Sequence, residues 1–159
     1  MTPRRLLTRH GYSLAEMLTV VAIIGILATF SLPRLGAMRD QSNLNNATNR
    51  FTRAVMAARQ AAIQRGRHSY FKTNNSHLWV IVDTTGTNAD SVVITRDLNL
   101  ATLYGVEITS PGGLTAIEYD PRGVSTQNSK QVFQFKHTSG KADSLCVSRL
   151  GNTIRTKCP

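Results

Sequence analysis

The sequence is poor in most of what an enzyme displays. Its 159 residues include two cysteines, one tryptophan, four histidines and nine acids. No H-E-x-x-H, G-x-S-x-G, P-loop or dinucleotide fingerprint occurs. His68, His77 and His137 are scattered, without the spacing of metal ligands. No catalytic residue, metal or cofactor is therefore expected. The chain also lacks an internal repeat and a long low-complexity linker, and its length accommodates one anchor helix and one small domain.

Acids are scarce but unevenly placed. The formal charge is +10. Residues 34–67 carry seven basic side chains against Asp40, and residues 122–159 carry seven against Asp143. Between them, Lys72 and Arg96 face six acids. Two basic regions flank an acidic middle, a pattern that points to a polyanion partner more than to a uniform solubility coat. The two cysteines, Cys146 and Cys158, both lie near the C-terminus. In an exported domain such a pair favours a disulfide, with two unpaired thiols as the alternative.

What is present begins with Arg4, Arg5 and Arg9, followed by an almost uncharged run from Leu14 to Leu32 that only Glu16 interrupts. Nineteen residues at ~1.5 Å per residue reach about 28 Å, close to the thickness of a hydrocarbon core. No A-x-A-like site follows this run, so it is expected to be retained as a membrane anchor. A carboxylate inside such a segment costs about 2.5–3.5 kcal/mol on the insertion scale, so Glu16 requires a partner.

Gly11 followed by Tyr12-Ser13-Leu14-Ala15-Glu16 resembles the cleavage motif of type IV pilins and type II secretion pseudopilins. The resemblance implies cleavage after Gly11 by a prepilin peptidase and methylation of the new terminal amine on Tyr12. It assigns to Glu16 the pairing with a neighbouring subunit's terminal ammonium during assembly. Pro33, at the twenty-second mature position, matches as well, whereas Tyr12 stands where phenylalanine is commoner.

Beyond Pro33 the residues Leu44, Ala47, Phe51, Ala54, Val55, Ala58, Ala61 and Ala62 recur in steps that place them on one helical stripe, and Gly66 is a C-terminal cap candidate. Asn43, Asn45, Asn46 and Asn49 make the start of this section a weak helix by propensity, so tertiary packing must hold it. After Gly66 come short runs rich in β-branched and aromatic residues: 69–72, 78–82, 91–96, 103–108, 115–119, 132–137 and 145–148. Turn chemistry at 85–88, 110–113, 120–123 and 139–140 separates them. The expected fold class is α+β, with one long helix from about Leu14 to Arg65 packed on an antiparallel sheet. Phe133 and Phe135 alternate with polar neighbours and share one strand face, the expected core face. Tyr70, Phe71, Trp79 and Tyr119 are either core or base-stacking groups.

One long helix followed by strands only, with Ile117-Glu118-Tyr119-Asp120-Pro121-Arg122-Gly123 and a terminal Leu150-Gly151, resembles the GspH/FimT branch of minor pilins and pseudopilins. The resemblance implies a pilin-like fold divided into a leader 1–11, a transmembrane helix 12–33, an amphipathic helix 34–67 and an antiparallel β head 68–159. It also implies a single-pass protein of the bacterial inner membrane with a periplasmic head. Its partners would be the prepilin peptidase and other pilin or pseudopilin subunits, and its place in the fibre would be at or near the tip.

FimT-like proteins of DNA uptake carry a Gly-Arg-x-Arg element near the C-terminus. Here the stretch reads Gly151-Asn152-Thr153-Ile154-Arg155. Arg149, Arg155 and Lys157 in or beside the segment between the cysteines, with Lys136 and Lys141 before it, form the candidate double-stranded DNA contact, since a closed loop of cations loses less entropy on gripping phosphates. The alternative is a secretion pseudopilin whose head contacts exported proteins and tip subunits without DNA.

Overall fold

The computed structural model describes residues 12–84 and 91–155, with the backbone alone for 30–34. The chain divides into two compact units, one ending at Met38 and one beginning at Arg39. Helix α1 (Leu14–Arg65) contributes to both. Its start is set by Ser13, whose hydroxyl accepts from the backbone N–H of Ala15 and whose carbonyl accepts from Met17. Its end is a Schellman turn: Gly66 adopts φ 60°, and the amides of Gly66 and Arg67 return to the carbonyls of Ile63 and Ala62.

In the first unit the described side chains of the apolar run are exposed. Met17, Leu18, Val20, Val21, Ile23, Ile24, Ile26 and Leu27 point in every direction around the helix. Among the described residues no helix is long and apolar enough to cross a membrane. The expected span 12–33 includes residues 30–33, whose side chains lie outside the described set.

The second unit is built on the remainder of α1. Among the described residues eight strands follow: β1 (Ser69–Asn74), β2 (His77–Asp83), β3 (Ser91–Asn99), β4 (Val106–Thr109), β5 (Ala116–Tyr119), β6 (Gln131–His137), β7 (Ala142–Val147) and β8 (Thr153–Arg155). They form two antiparallel four-stranded sheets where one was expected, ordered β3-β2-β1-β5 and β4-β6-β7-β8. The expected strand 103–108 is also corrected. A short helix α2 (Leu100–Tyr104) precedes β4, because the Asn99 side chain caps it by accepting from Thr102 N–H at 3.1 Å and Gly105 closes it at φ 64°.

All eight stripe residues from Leu44 to Ala62 are buried, as their spacing required. Phe51 lies at the centre, with its ring centroid 4.8 Å from Phe71 of the first sheet and 4.7 and 5.2 Å from Phe133 and Phe135 of the second. The alternation along β6 places Phe133 and Phe135 inward, as expected. At the seam, the Ser69 hydroxyl donates to the Ala58 carbonyl at 2.5 Å, tethering the start of β1 to the helix. Replacing Phe51 with Ala removes the one ring common to both sheets. Chemical denaturation of that variant should show a loss of about 3–5 kcal/mol.

Candidate functional site

At the start of α1, Glu16 occupies the first turn with its carboxylate exposed. No hydrogen bond or ion pair reaches that carboxylate among the described residues. Tyr12 is three-quarters exposed. Gly11 and the Pro33 side chain lie outside the described residues.

Within the head, the Tyr119–Gly123 stretch is a fastening between sheet and helix. Asp120 organises its turn: Oδ1 accepts from the amides of Arg122 and Val124 at 3.0 and 2.8 Å, and the carbonyl accepts from Gly123 N–H. Gly123 sits at φ 77°, and a Cβ there would lie 2.6 Å from Ile63 Cδ1 and 3.3 Å from Arg59 Cγ. Only glycine permits both the backbone conformation and this approach to α1. The Gly123 carbonyl then accepts from Arg59 Nε at 3.1 Å. On the other flank, Gly151 at φ 71° places its Cα against Arg59 Cδ and the Tyr119 hydroxyl. The Tyr119 ring is fully buried and its hydroxyl has no hydrogen-bond partner among the described residues. Burial pushes its pKa up to about 12, with the Arg59 charge pulling the other way.

The C-terminal cations expected to act together are distributed. Arg155 is held against α1, with Nη2 donating to the Asn45 carbonyl at 3.1 Å and to Asn49 Oδ1 at 3.2 Å. Since Gly151 meets Arg59 and Arg155 meets Asn49, β8 runs beside the helix for the ten residues between them, about 15 Å of helical rise. Arg149 lies beyond that end, exposed in the β7–β8 turn, where its carbonyl accepts from Ser125 N–H and so brings it beside the loop that carries exposed Arg122. Lys136 sits across from Glu107 in the β4–β6 register, and an open groove of about 460 Å³ beside it is also lined by Asp143. Lys141 precedes β7 and is half-buried. Cys146 is buried and no cysteine among the described residues is free. Lys157 and Cys158 lie outside them.

The aromatics divide cleanly. Phe71, Tyr119, Phe133 and Phe135 are core, whereas Tyr70 and Trp79 lie half-buried on the opposite face of the first sheet. Sequence alternation alone contained this division, because Tyr70 and Trp79 are out of phase with Phe71 and Val80. Sequence reasoning missed the partners of the histidines. His68 Nδ1 is 2.9 Å from Glu118, His77 Nδ1 is 2.7 Å from Asp97, and buried His137 bonds Ser139. The first two pairs join residues 50 and 20 apart, and no separation in the chain announces them; the third is local to the β6–β7 turn.

The family model for type II transport protein GspH matches residues 47–151. Two crystal forms of the Pseudomonas aeruginosa type IV minor pilin FimU share the fold. One superimposes with a TM-score of 0.59 at 14% identity, covering 74% of this chain and 90% of that one. The other gives 0.55 at 14% identity, covering 71% and 92%. No curated protein sequence matches this chain. The matched span begins on the buried stripe at Ala47 and ends at Gly151, so it contains every part of the Arg59 fastening.

Three variants test that fastening. Gly123→Ala should destabilise by about 1–3 kcal/mol through positive-φ strain and the clash with Ile63. Adding Ile63→Ala should recover the part due to the clash. Tyr119→Phe removes a buried hydroxyl that makes no bond and should leave stability unchanged or raise it by about 1 kcal/mol. Because the buried phenol keeps its proton to about pH 12 while the unfolded chain releases it near 10, the fold is unaffected below pH ~10 and loses stability as pH rises from there towards 12. Thermal melts over pH 9–12 should therefore show a steeper alkaline decline for the wild type than for Tyr119→Phe.

Proposed function

The chain belongs to the GspH family of type II transport proteins and is a minor pilin or pseudopilin of the GspH/FimT type, and from that premise we propose how it enters a fibre. The leader 1–11 is removed after Gly11 by a prepilin peptidase, and the freed amine of Tyr12 is methylated. The helix from Leu14 through Leu32 and Pro33 lies in the bacterial inner membrane before assembly, with the head in the periplasm. It is then transferred into a bundle of neighbouring helices. There Glu16 pairs with the terminal ammonium of an adjacent subunit, and the head stands at or near the fibre tip.

The observation that supports this reading is a mismatch within the chain. The first unit of α1 exposes apolar side chains all round, yet its one acid has no partner among the described residues. A helix apolar on every side is stable only when covered by lipid or other helices, and a carboxylate in that setting needs a cation. One neighbouring subunit supplies both.

The experiment is a pair of substitutions followed from membrane to fibre. Gly11→Val should leave full-length precursor in the inner membrane by mass spectrometry. Glu16→Ala should be cleaved normally but be absent from sheared fibres. Normal cleavage of the first, or normal incorporation of the second, would overturn the assignment of that residue.

DNA binding is a second reading, and one observation favours it. The β7–β8 turn and the 120–125 loop are joined by the Ser125–Arg149 hydrogen bond, so two neighbouring loops each carry an exposed arginine, Arg149 and Arg122. On this reading they make the first phosphate contacts, with Lys157 as a further contact and with Lys136, which lies beside Glu107 and Asp143, and half-buried Lys141 as weaker contributors. A disulfide between Cys146 and Cys158 would fix the strand that presents them. Arg155 serves mainly to hold β8 on α1. Fluorescence anisotropy with short duplex DNA should then show affinity falling by roughly 0.9 log units per log unit of salt for each phosphate neutralised. Arg122→Gln with Arg149→Gln should flatten that slope more than Arg155→Gln does. Equal slopes in the three proteins would remove these loops as the contact.

A further inference from the structure

The solvent face of the first sheet carries a second constellation, at the β1–β2 hairpin end. An open cleft of about 480 Å³ is lined by Asn74, Asn75, His77, Trp79 and Asp97. Its size is that of a small-ligand site. We propose that this cleft binds a neutral glycan, stacking a pyranose on Trp79 and taking its hydroxyls with the Asn74 and Asn75 amides and the Asp97 carboxylate.

A chain of hydrogen bonds fixes the polar wall. Asn99 Oδ1 accepts from the Thr102 amide as the cap of α2, so the amide nitrogen of Asn99 faces the other way, 3.0 Å from His77 Nε2. That ring nitrogen must therefore accept, which places the proton on Nδ1. Nδ1–H donates to Asp97 Oδ2 at 2.7 Å. The remaining Asp97 oxygen stays available, and the carboxylate is held in one orientation by a side chain that is itself held. The first link is set by the backbone of α2, and the His77–Asp97 pair follows from it.

The hairpin turn is equally constrained. Asn75 and Ser76 both adopt positive φ, 46° and 67°. Ser76 is buried, its Oγ accepting from Ile108 N–H at 3.0 Å and its carbonyl accepting from Leu100 N–H at 3.0 Å. A non-glycine residue in this conformation persists because its surroundings hold it there. The consequence is that exposed Asn75, next to it, is presented at a fixed place beside the indole.

The composition of the face selects the ligand. Asn74, Asn75 and Trp79 make no side-chain hydrogen bond within the described protein, leaving planar amide donors and acceptors and an indole N–H for a ligand. Vicinal hydroxyls match such paired donors and acceptors, and the C–H face of a sugar ring matches an indole. A nucleic acid is disfavoured, since Lys72 is accompanied on this face by Asp97 and Glu118.

The test uses the full-length chain in a zwitterionic detergent without sugar headgroups. Trp79 is the only tryptophan, so intrinsic indole emission reports this cleft alone. Titration with chitotriose, maltotriose and cellotriose should give a saturable emission change with at least one of them. Asn75→Ala and Asp97→Ala should each weaken that binding by about tenfold while the head remains folded by circular dichroism, with a lowered thermal midpoint for Asn75→Ala because alanine tolerates φ 46° less well than asparagine. Trp79→Phe should abolish it by calorimetry. An unresponsive indole with all three sugars overturns the proposal, as does a response to single-stranded oligo-dT in place of the sugars. Binding that survives Asn75→Ala and Asp97→Ala unchanged overturns the assignment to this wall.

Discussion

The Phe51 ring is the constraint on which the head depends. The two four-stranded sheets share no strand, and hydrogen bonds link them only at their margins, as from Ile108 N–H to Ser76 Oγ and from Ser125 N–H to the Arg149 carbonyl. What packs them into one core is the apolar stripe of α1, within which Phe51 meets Phe71 from one sheet and Phe133 and Phe135 from the other. The geometry is edge-on or tilted at each contact, the arrangement in which a positive ring edge meets a negative face. With the helix fixed as a third layer, each sheet has one face covered and one free, which is what leaves Trp79 and Tyr70 outside while their neighbours along the same strands are inside.

Helix–strand packing of this kind explains why much of the fold was legible in the chain. The stripe from Leu44 to Ala62 and the alternation around Phe133 are periodic signals, and burial follows period. The division into two sheets was not legible, because turns specify that strands reverse without specifying which edges pair. The misassigned 103–108 segment has a local cause. Leu103 and Tyr104 suit a strand by composition, but Asn99 and Gly105 bracket them at helix-cap spacing, and the caps prevailed. The asparagine-rich start of the head helix, weak by propensity, is held from outside: Leu44 and Ala47 are buried, while Arg155 grips Asn45 and Asn49.

The candidate sites divide in the same way. Gly123 was visible as part of a turn sequence, but its reason is long-range, since the Cβ it lacks would strike Ile63, sixty residues earlier. The C-terminal cations were visible as a sum of charge. Their separation was hidden, because adjacency in sequence does not reveal that β8 lies along α1 and holds Arg155 against asparagines. The His77–Asp97–Asn99 chain left no sequence trace at all, for it is assembled across a strand pair whose register shifts near Val80.

Folding also changes what the charge pattern means. The acidic middle of the sequence supplies the first sheet, α2 and β4, while the two basic regions become α1 and the β6–β8 part of the second sheet. Because β8 lies along the helix, basic segments a hundred residues apart in sequence become neighbours in space. Acidic Glu107 nevertheless sits within the second sheet, directly across from Lys136, and Asn45 and Asn49 occupy Arg155. Arg122 and Arg149 are exposed on neighbouring loops at one end of this side, with Asp120 as the acid of the same turn as Arg122. A polyanion would be steered by the field of the whole side but gripped at one end of it, whereas a neutral ligand would find its donors and acceptors on the opposite sheet.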